Sequence, residues 1–241
     1  MSEADGPGDE HEPRAAGRDG RRLAVVSAAT VGIAALFVVF VDRPLALWLK
    51  ATLPPAVVAV FDAVAQLGVA TGYAVGAAVL AVVFWLGARQ VRVPAVAARL
   101  RFYARRALFV LAALAASGLL LNVIKVALGR LRPRLLFNEG LYGFQPFNTD
   151  FGDNALPSGH AQTIWAVATA LMICFPGWRW PLAAVAVVVS LARVMQTAHY
   201  LSDVLVGAVL AIVVTLLVER HLFARRGYPV RPQPGEARGE R

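Results

Sequence analysis

Charge is what this chain has least of. Only 16% of its 241 residues are Asp, Glu, Lys or Arg, where a soluble domain carries about 25%. Hydrophobic residues make up 58%, and mean hydropathy is +0.60, so a bilayer is the expected solvent. Lysine is almost missing, with 2 against 22 arginines. The single cysteine, Cys174, lies in an apolar run; it excludes an intramolecular disulfide and leaves the redox compartment unread. Histidine occurs 4 times, and His11 and His221 lie near the two ends of the chain. A zinc site takes about three or four protein ligands, so no metal or other cofactor is expected. No short apolar core with a small-residue cleavage site precedes the first long apolar run, so no secretory signal peptide is expected.

Apolar runs are what the chain has in quantity. They cover about 23–41, 63–86, 107–128, 159–176, 181–198 and 203–218, and a membrane-spanning helix needs roughly 17–25 residues. Helices apolar all round can be buried in soluble proteins, but six in so short a chain leave too little polar surface. The expected fold is all-α, a polytopic membrane bundle of about six transmembrane helices over 21–222. Polar, Gly-, Pro- and charge-rich stretches at 1–20 and 223–241 are expected to be disordered tails. Pro54-Pro55 and the residues after them are expected at the membrane interface. Gly72 and Gly76 form a GxxxG pair, the pattern of close helix packing.

A net charge of +9 in a soluble protein points to nucleic acid. Here the arginines fall in short clusters between apolar runs, so no nucleic-acid partner is expected. Counting Lys and Arg between spans orients the chain instead. With the N-terminus inside, the inner segments (including a loop from Arg89 to Arg106) hold 17 and the outer segments 5. Both termini are therefore expected in the cytoplasm. The excess of arginine and the abundant alanine suit a GC-rich bacterial source, and so a multi-pass protein of the plasma (inner) membrane.

Two cations, Lys125 and Arg193, fall near the outer ends of apolar runs. Charge at membrane depth is costly and marks function, with snorkelling to the interface as the plainer explanation. Arg132 follows Lys125 by seven residues, two turns if the helix continues, although Pro133 is set to stop it. Pro157-Ser158-Gly159-His160 opens the fourth run. Ser158 suits a helix N-cap, Gly159 lets backbone approach a ligand, and the free N–H groups attract an anion. His199 and Asp203 are four apart. A carboxylate there can hold one ring nitrogen and leave the other as base or nucleophile. All these groups emerge at the outer ends of the third to sixth helices, and together they suit the binding and cleavage of a phosphate dianion.

Lys125 with Arg132-Pro133, then Pro157-Ser158-Gly159-His160, then Arg193 with His199 and Asp203 resembles the three-part signature of the type 2 phosphatidic acid phosphatase superfamily. The resemblance spans about residues 100–220 and includes bacterial lipid phosphatases and vanadium haloperoxidases. One position departs, since Ala192 stands where the family usually has Ser. The resemblance implies that Lys125, Arg132 and Arg193 hold phosphate oxygens, with help from Ser158 and the Gly159 N–H. It implies that His199 attacks phosphorus to form a phosphohistidine, supported by Asp203. It implies further that His160 protonates the leaving alcohol and then activates water. Such chemistry rests on positioning and electrostatics, with no metal. The implied substrate is a lipid phosphate or diphosphate at the outer face, among membrane lipids. Undecaprenyl diphosphate, phosphatidylglycerol phosphate, phosphatidic acid and lipid A phosphates are the implied candidates. Arg130 and Arg134 are read either as grips for a larger headgroup or as ordinary interfacial residues.

Rival readings fit less well. A Ser158–His199–Asp203 acyl hydrolase lacks the Gly-x-Ser-x-Gly elbow and leaves three cations unexplained. A haloperoxidase would use the same residues, but the polytopic body favours a lipid substrate. A lipid phosphotransferase, or a non-catalytic lipid transporter or scaffold, would keep the same signature.

Overall fold

The structure, a computed structural model, describes residues 11–231, with side chains from residue 20 onward. Its helices are α1 His11–Phe40, α2 Asp42–Thr52, α3 Pro55–Ala65, α4 Ala70–Gln90, α5 Pro94–Leu128, α6 Pro133–Glu139, α7 Gly159–Cys174, α8 Arg179–Met195 and α9 Leu201–Val218. A π-helical turn, Glu219–Ala224, extends α9. The all-α bundle expected from the apolar runs is what forms. Among the described residues, five segments are long and apolar enough to cross a membrane, and α7 is a shorter apolar helix beside them. The protein is a multi-pass membrane protein.

Helix α7 lies inside the bundle. At 16 residues it spans about 24 Å, and α5, α8 and α9 surround it. Its small residues Ala161, Ala166 and Ala170 are fully buried, which lets those neighbours close in. By contrast α1 faces outward, with Val31, Val39 and Phe40 well exposed, as suits contact with lipid tails.

Helix α5 is longer than its apolar run. Pro94 occupies its first turn, where a missing N–H costs nothing. The 35 residues reach roughly 52 Å, well beyond a hydrocarbon core of about 30 Å. The segment Arg89–Arg106 is therefore mostly helix and not the expected loop: Arg99, Arg101, Arg105 and Arg106 all lie on α5. The helix ends at Gly129, which adopts φ +56 and donates its N–H to Lys125 O at 2.9 Å. A side chain at that position is impossible, because a Cβ would stand 1.6 Å from Gln145 O.

Three other expectations change. Residues 11–20 are helical, as the start of α1. The expected tail at 223–241 is ordered to residue 231: Val230 is fully buried, its carbonyl accepts from Arg106 Nε at 3.0 Å, and Arg231 pairs with Glu219 at 2.9 Å. Apolar surface and paired charge in that stretch outweigh its polar composition. The remainder of both tails lies outside the described residues. Gly72 and Gly76 face open space, since α4 instead turns Ala77, Ala81 and Ala88 inward. Pro55 starts a separate helix, α3, which packs against α8.

Candidate active site

The C-terminal ends of α5 and α8 and the N-terminal ends of α7 and α9 converge near the loop that follows α6, and every residue singled out in the three motifs is found there. Lys125 is on the last turn of α5 and buried. It does not share a helical face with Arg132, because the helix has already ended at Gly129. The two cations meet through the fold instead. Lys125 Nζ at 3.1 Å and Arg132 Nε at 3.2 Å donate to the same carbonyl, that of Asn154. Isolated bridges Arg130–Phe144 and Leu131–Asn154 hold the segment in place, with Arg132 N bonded to Asp153 O at 3.0 Å. Burial, then Arg134, pushes the pKa of the Arg132 guanidinium down, as expected of a cation crowded by like charge.

Ser158 stands at the N-cap position of α7 with extended backbone, yet its side chain makes no cap hydrogen bond. Its Oγ is buried and without a partner in the protein. The expected capping role is therefore absent, and a donor is left over. Ser158 N donates to Asp203 O at 3.0 Å, which fixes the start of α7 against the start of α9. Gly207 permits this approach, since a Cβ there would lie 2.6 Å from Ser158 O. Gly159 opens the helix beside free space. His160 follows, and its Cβ would stand 2.8 Å from a Cβ added to Gly68.

Arg193 lies in the last turn of α8. Its carbonyl accepts the N–H groups of both Ala198 and His199, each at 3.2 Å. A tight turn thus links cation and histidine, with Thr197 in the left-handed region at φ 52. For a β-branched residue this is strained backbone. With its amide nitrogen toward Asp62, Gln196 accepts from Arg193 Nη1 at 2.9 Å, while Arg193 Nε is buried and uncommitted.

His199 is buried, with Nδ1 3.7 Å from Asp203 Oδ2. That is beyond hydrogen-bond distance, so the carboxylate faces the ring without closing the bond. Nδ1 is thus the ring nitrogen that faces the carboxylate, and it makes no hydrogen bond among the described residues. Burial pushes the imidazole down to about 3, against the opposing pull of Asp203 and with Arg132 and Arg193 adding to the fall. The ring is therefore neutral at ordinary pH and carries a lone pair. Asp203 Oδ2 also accepts from Tyr200 N at 2.8 Å.

The arrangement sets Arg132 and Arg193 close enough to act on the charge of His199, with Ser158 Oγ and Arg193 Nε left uncommitted nearby. Residues 106–226, about half of the chain, match the profile of the PAP2 superfamily. The chain belongs to the PAP2 superfamily. Among relatives, it is 39% identical over 111 residues to a lipid A 1-phosphatase of Rhizobium johnstonii, covering 46% of this chain and 45% of that protein. It is 36% identical over 87 residues to an undecaprenyl-diphosphatase of Sulfolobus acidocaldarius, covering 36% and 40%. The chain thus spans less than half the length of these curated relatives. The same fold occurs in the transmembrane PAP2 type phosphatidylglycerolphosphate phosphatase of Bacillus subtilis, with TM-score 0.56, 20% identity and 83% and 93% of the two chains covered. It also occurs in LpxE of Aquifex aeolicus, with TM-score 0.54, 18% identity and 75% and 96% covered.

This PAP2 protein holds contacts that reading the sequence missed. Arg130 is not a headgroup grip. It is 1% exposed and bonded to Asp203 Oδ1 at 2.5 Å and Asp42 Oδ2 at 2.8 Å. Burial works to lower its pKa, but Asp203 and Asp42 more than reverse this and raise it. Arg134 is exposed and pairs with Asp153, as an ordinary surface residue would. Asp42 left one signal, a lone acid at the C-terminal end of the first apolar run. Gly68, Asn154 and Gly207 left none, because nothing local marks a residue whose partner is distant in the chain.

Proposed function

We propose that this PAP2 protein is a metal-independent lipid phosphatase acting at the outer face of the bacterial inner membrane through a phosphohistidine intermediate. The observation that carries this reading is the cluster of buried polar atoms unspent within the protein. Ser158 Oγ and Arg193 Nε have no partner among the described residues; Ser158 N is bonded to Asp203 O, and Arg193 O accepts from His199 N. Buried polar groups are almost always paired, so a polar ligand is their natural complement. Lys125, Arg132 and Arg193 supply the positive charge that suits a phosphate dianion, and the α7 N-terminus adds N–H donors.

In this reading His199 Nε2 attacks phosphorus as the P–O bond to the lipid breaks. His160 delivers its proton to the departing oxygen. Asp203, held near Nδ1, stabilises the cationic phosphoimidazole. Water then attacks phosphorus, His160 takes the water's proton, and the P–N bond breaks to release phosphate. The three cations stabilise the charge on the transferring group, the main demand of phosphoryl transfer.

A cavity of about 500 Å³ supports a lipid substrate. It runs between α4, α5 and α7, lined by Gly68, Ala74, Leu114, Gly118 and Leu121, and it reaches His160. In this reading the cavity's apolar volume lies beside the proton donor, on the side from which the lipid leaves. The relatives' names suggest lipid A phosphates, prenyl diphosphates and phosphatidylglycerol phosphate as the panel to try.

Phosphate release by pure protein in detergent, with a strong chelator present, tests the activity. Release that vanadate suppresses and chelation does not is the expected result; a requirement for added divalent ion overturns the mechanism. A transferase would pass the phosphate to a lipid alcohol instead, and a transporter or scaffold would release none. A reporter fused after Arg226 should read cytoplasmic and one within 138–153 external. The reverse would put the site on the inner face.

A further inference from the structure

Asp42 takes no part in the chemistry above. It opens α2, outside the residues matched by the superfamily profile, and its side chain is wholly buried. A buried carboxylate is costly unless its oxygens are well paired. Those of Asp42 accept three groups: Ser202 N at 3.2 Å, Ser202 Oγ at 2.5 Å and Arg130 Nη2 at 2.8 Å. Arg130 uses its other terminal nitrogen on Asp203 Oδ1 and on Ser202 Oγ, both at 2.5 Å. One cation is therefore shared between two carboxylates, and one of those is the partner of His199.

The sharing has an electrostatic consequence. Arg130 bound to Asp203 alone would cancel the charge that His199 needs as its ring becomes cationic. With Asp42 included, the set of Asp42, Arg130, Asp203 and neutral His199 carries one net negative charge before reaction. Attack on phosphorus makes the imidazole positive and brings the set to neutrality. The network also fixes Asp203 by its Oδ1, which leaves Oδ2 for Tyr200 N and His199.

We propose that Asp42 is a positioning residue for phosphoryl transfer, acting through Arg130 and Ser202 to hold Asp203 charged and aimed at His199. The role rests on His199 as nucleophile, and it links the α1–α2 corner to a site otherwise built from α5 to α9.

The test uses the full chain in detergent with p-nitrophenyl phosphate. Outer partners of metal-bound histidines are worth about 10–100-fold, and Asp42→Asn is expected to lower kcat within that range. KM should stay within about twofold, because Asp42 touches none of the phosphate-binding cations. The deciding measurement is a double-mutant cycle. In an Asp203→Asn background, Asp42→Asn should slow turnover by less than about threefold more, since its route to His199 is already cut. The same factor in both backgrounds, or an unchanged kcat, overturns the role and leaves only a structural clamp. If Asp42→Asn does not elute as folded protein, Ser202→Ala removes the second arm. It should lower kcat several-fold at constant KM, and a wild-type kcat there overturns the role. A wild-type protein that hydrolyses no phosphate ester overturns the proposed function and this role together. An active wild type with an insensitive Asp42 overturns this role alone.

Discussion

Arg130 and Arg106 are both buried arginines, near opposite ends of one bundle, and they are satisfied in opposite ways. Arg130 is gripped by two carboxylates. Arg106 donates to the Val230 carbonyl at 3.0 Å and lies 4.2 Å from the Phe102 ring and 4.8 Å from that of Phe175. A carbonyl and two ring faces hold a cation in place without a formal counter-charge. Carboxylates hold it with opposite charge, and one of them, Asp203, also faces His199. The site end therefore joins its arginine to the carboxylate that faces His199, while the other end commits Arg106 to tying down the chain after α9. Burial of an arginine marks neither function nor structure by itself; its partners decide.

The sharpest way to break the comparison is at its centre. His199→Ala should reduce turnover to near background while the protein still elutes as a folded species in detergent. Near-normal phosphate release would remove the nucleophile and the meaning of the charge network with it.

His160→Gln gives the next largest effect and separates proton donation from phosphate binding. General acid catalysis is worth about 10²–10⁴-fold, and an alkoxide needs a proton far more than a nitrophenolate. Single-turnover release of lipid alcohol should slow within that range, and release of nitrophenol much less. Equal slowing of both would make His160 a binding or structural residue.

The burial of His199 also predicts a pH effect on stability. Its pKa is lowered from 6.5 to about 3 in the folded protein, so the unfolded chain binds the proton more readily. Above about pH 6.5 the group costs nothing, and stability is lost as pH falls from there toward 3. Thermal unfolding of wild type against His199→Asn should therefore shift in favour of the variant between pH 7 and 4. A constant difference would mean that His199 is not buried neutral.

Arg106→Ala has the smallest expected effect on catalysis. Loss of its hydrogen bond and ring contacts should cost about 1–3 kcal/mol of stability, seen as a lower Tm, with kcat unchanged. A fall in kcat as large as that of Asp42→Asn would erase the distinction between the two ends.

Much of this protein follows from its sequence alone. The bilayer demands that backbone polar groups be satisfied within each span, so apolar runs translate almost directly into helices. The motif residues Lys125, Arg132, Ser158, His160, Arg193, His199 and Asp203 stood out because charge and polarity at the ends of such runs are expensive. Tertiary structure alone decided how they meet. Lys125 and Arg132 converge on the Asn154 carbonyl because Gly129 ends the helix between them. Ser158 reaches Asp203 because Gly207 has no side chain. Arg130 turns away from the surface because Asp42, 88 positions earlier, is waiting inside. Contacts of this kind join residues far apart in the chain, and their energy comes from excluding water around both partners at once. No local pattern of hydrophobicity or spacing records that, so it becomes visible only once the chain is folded.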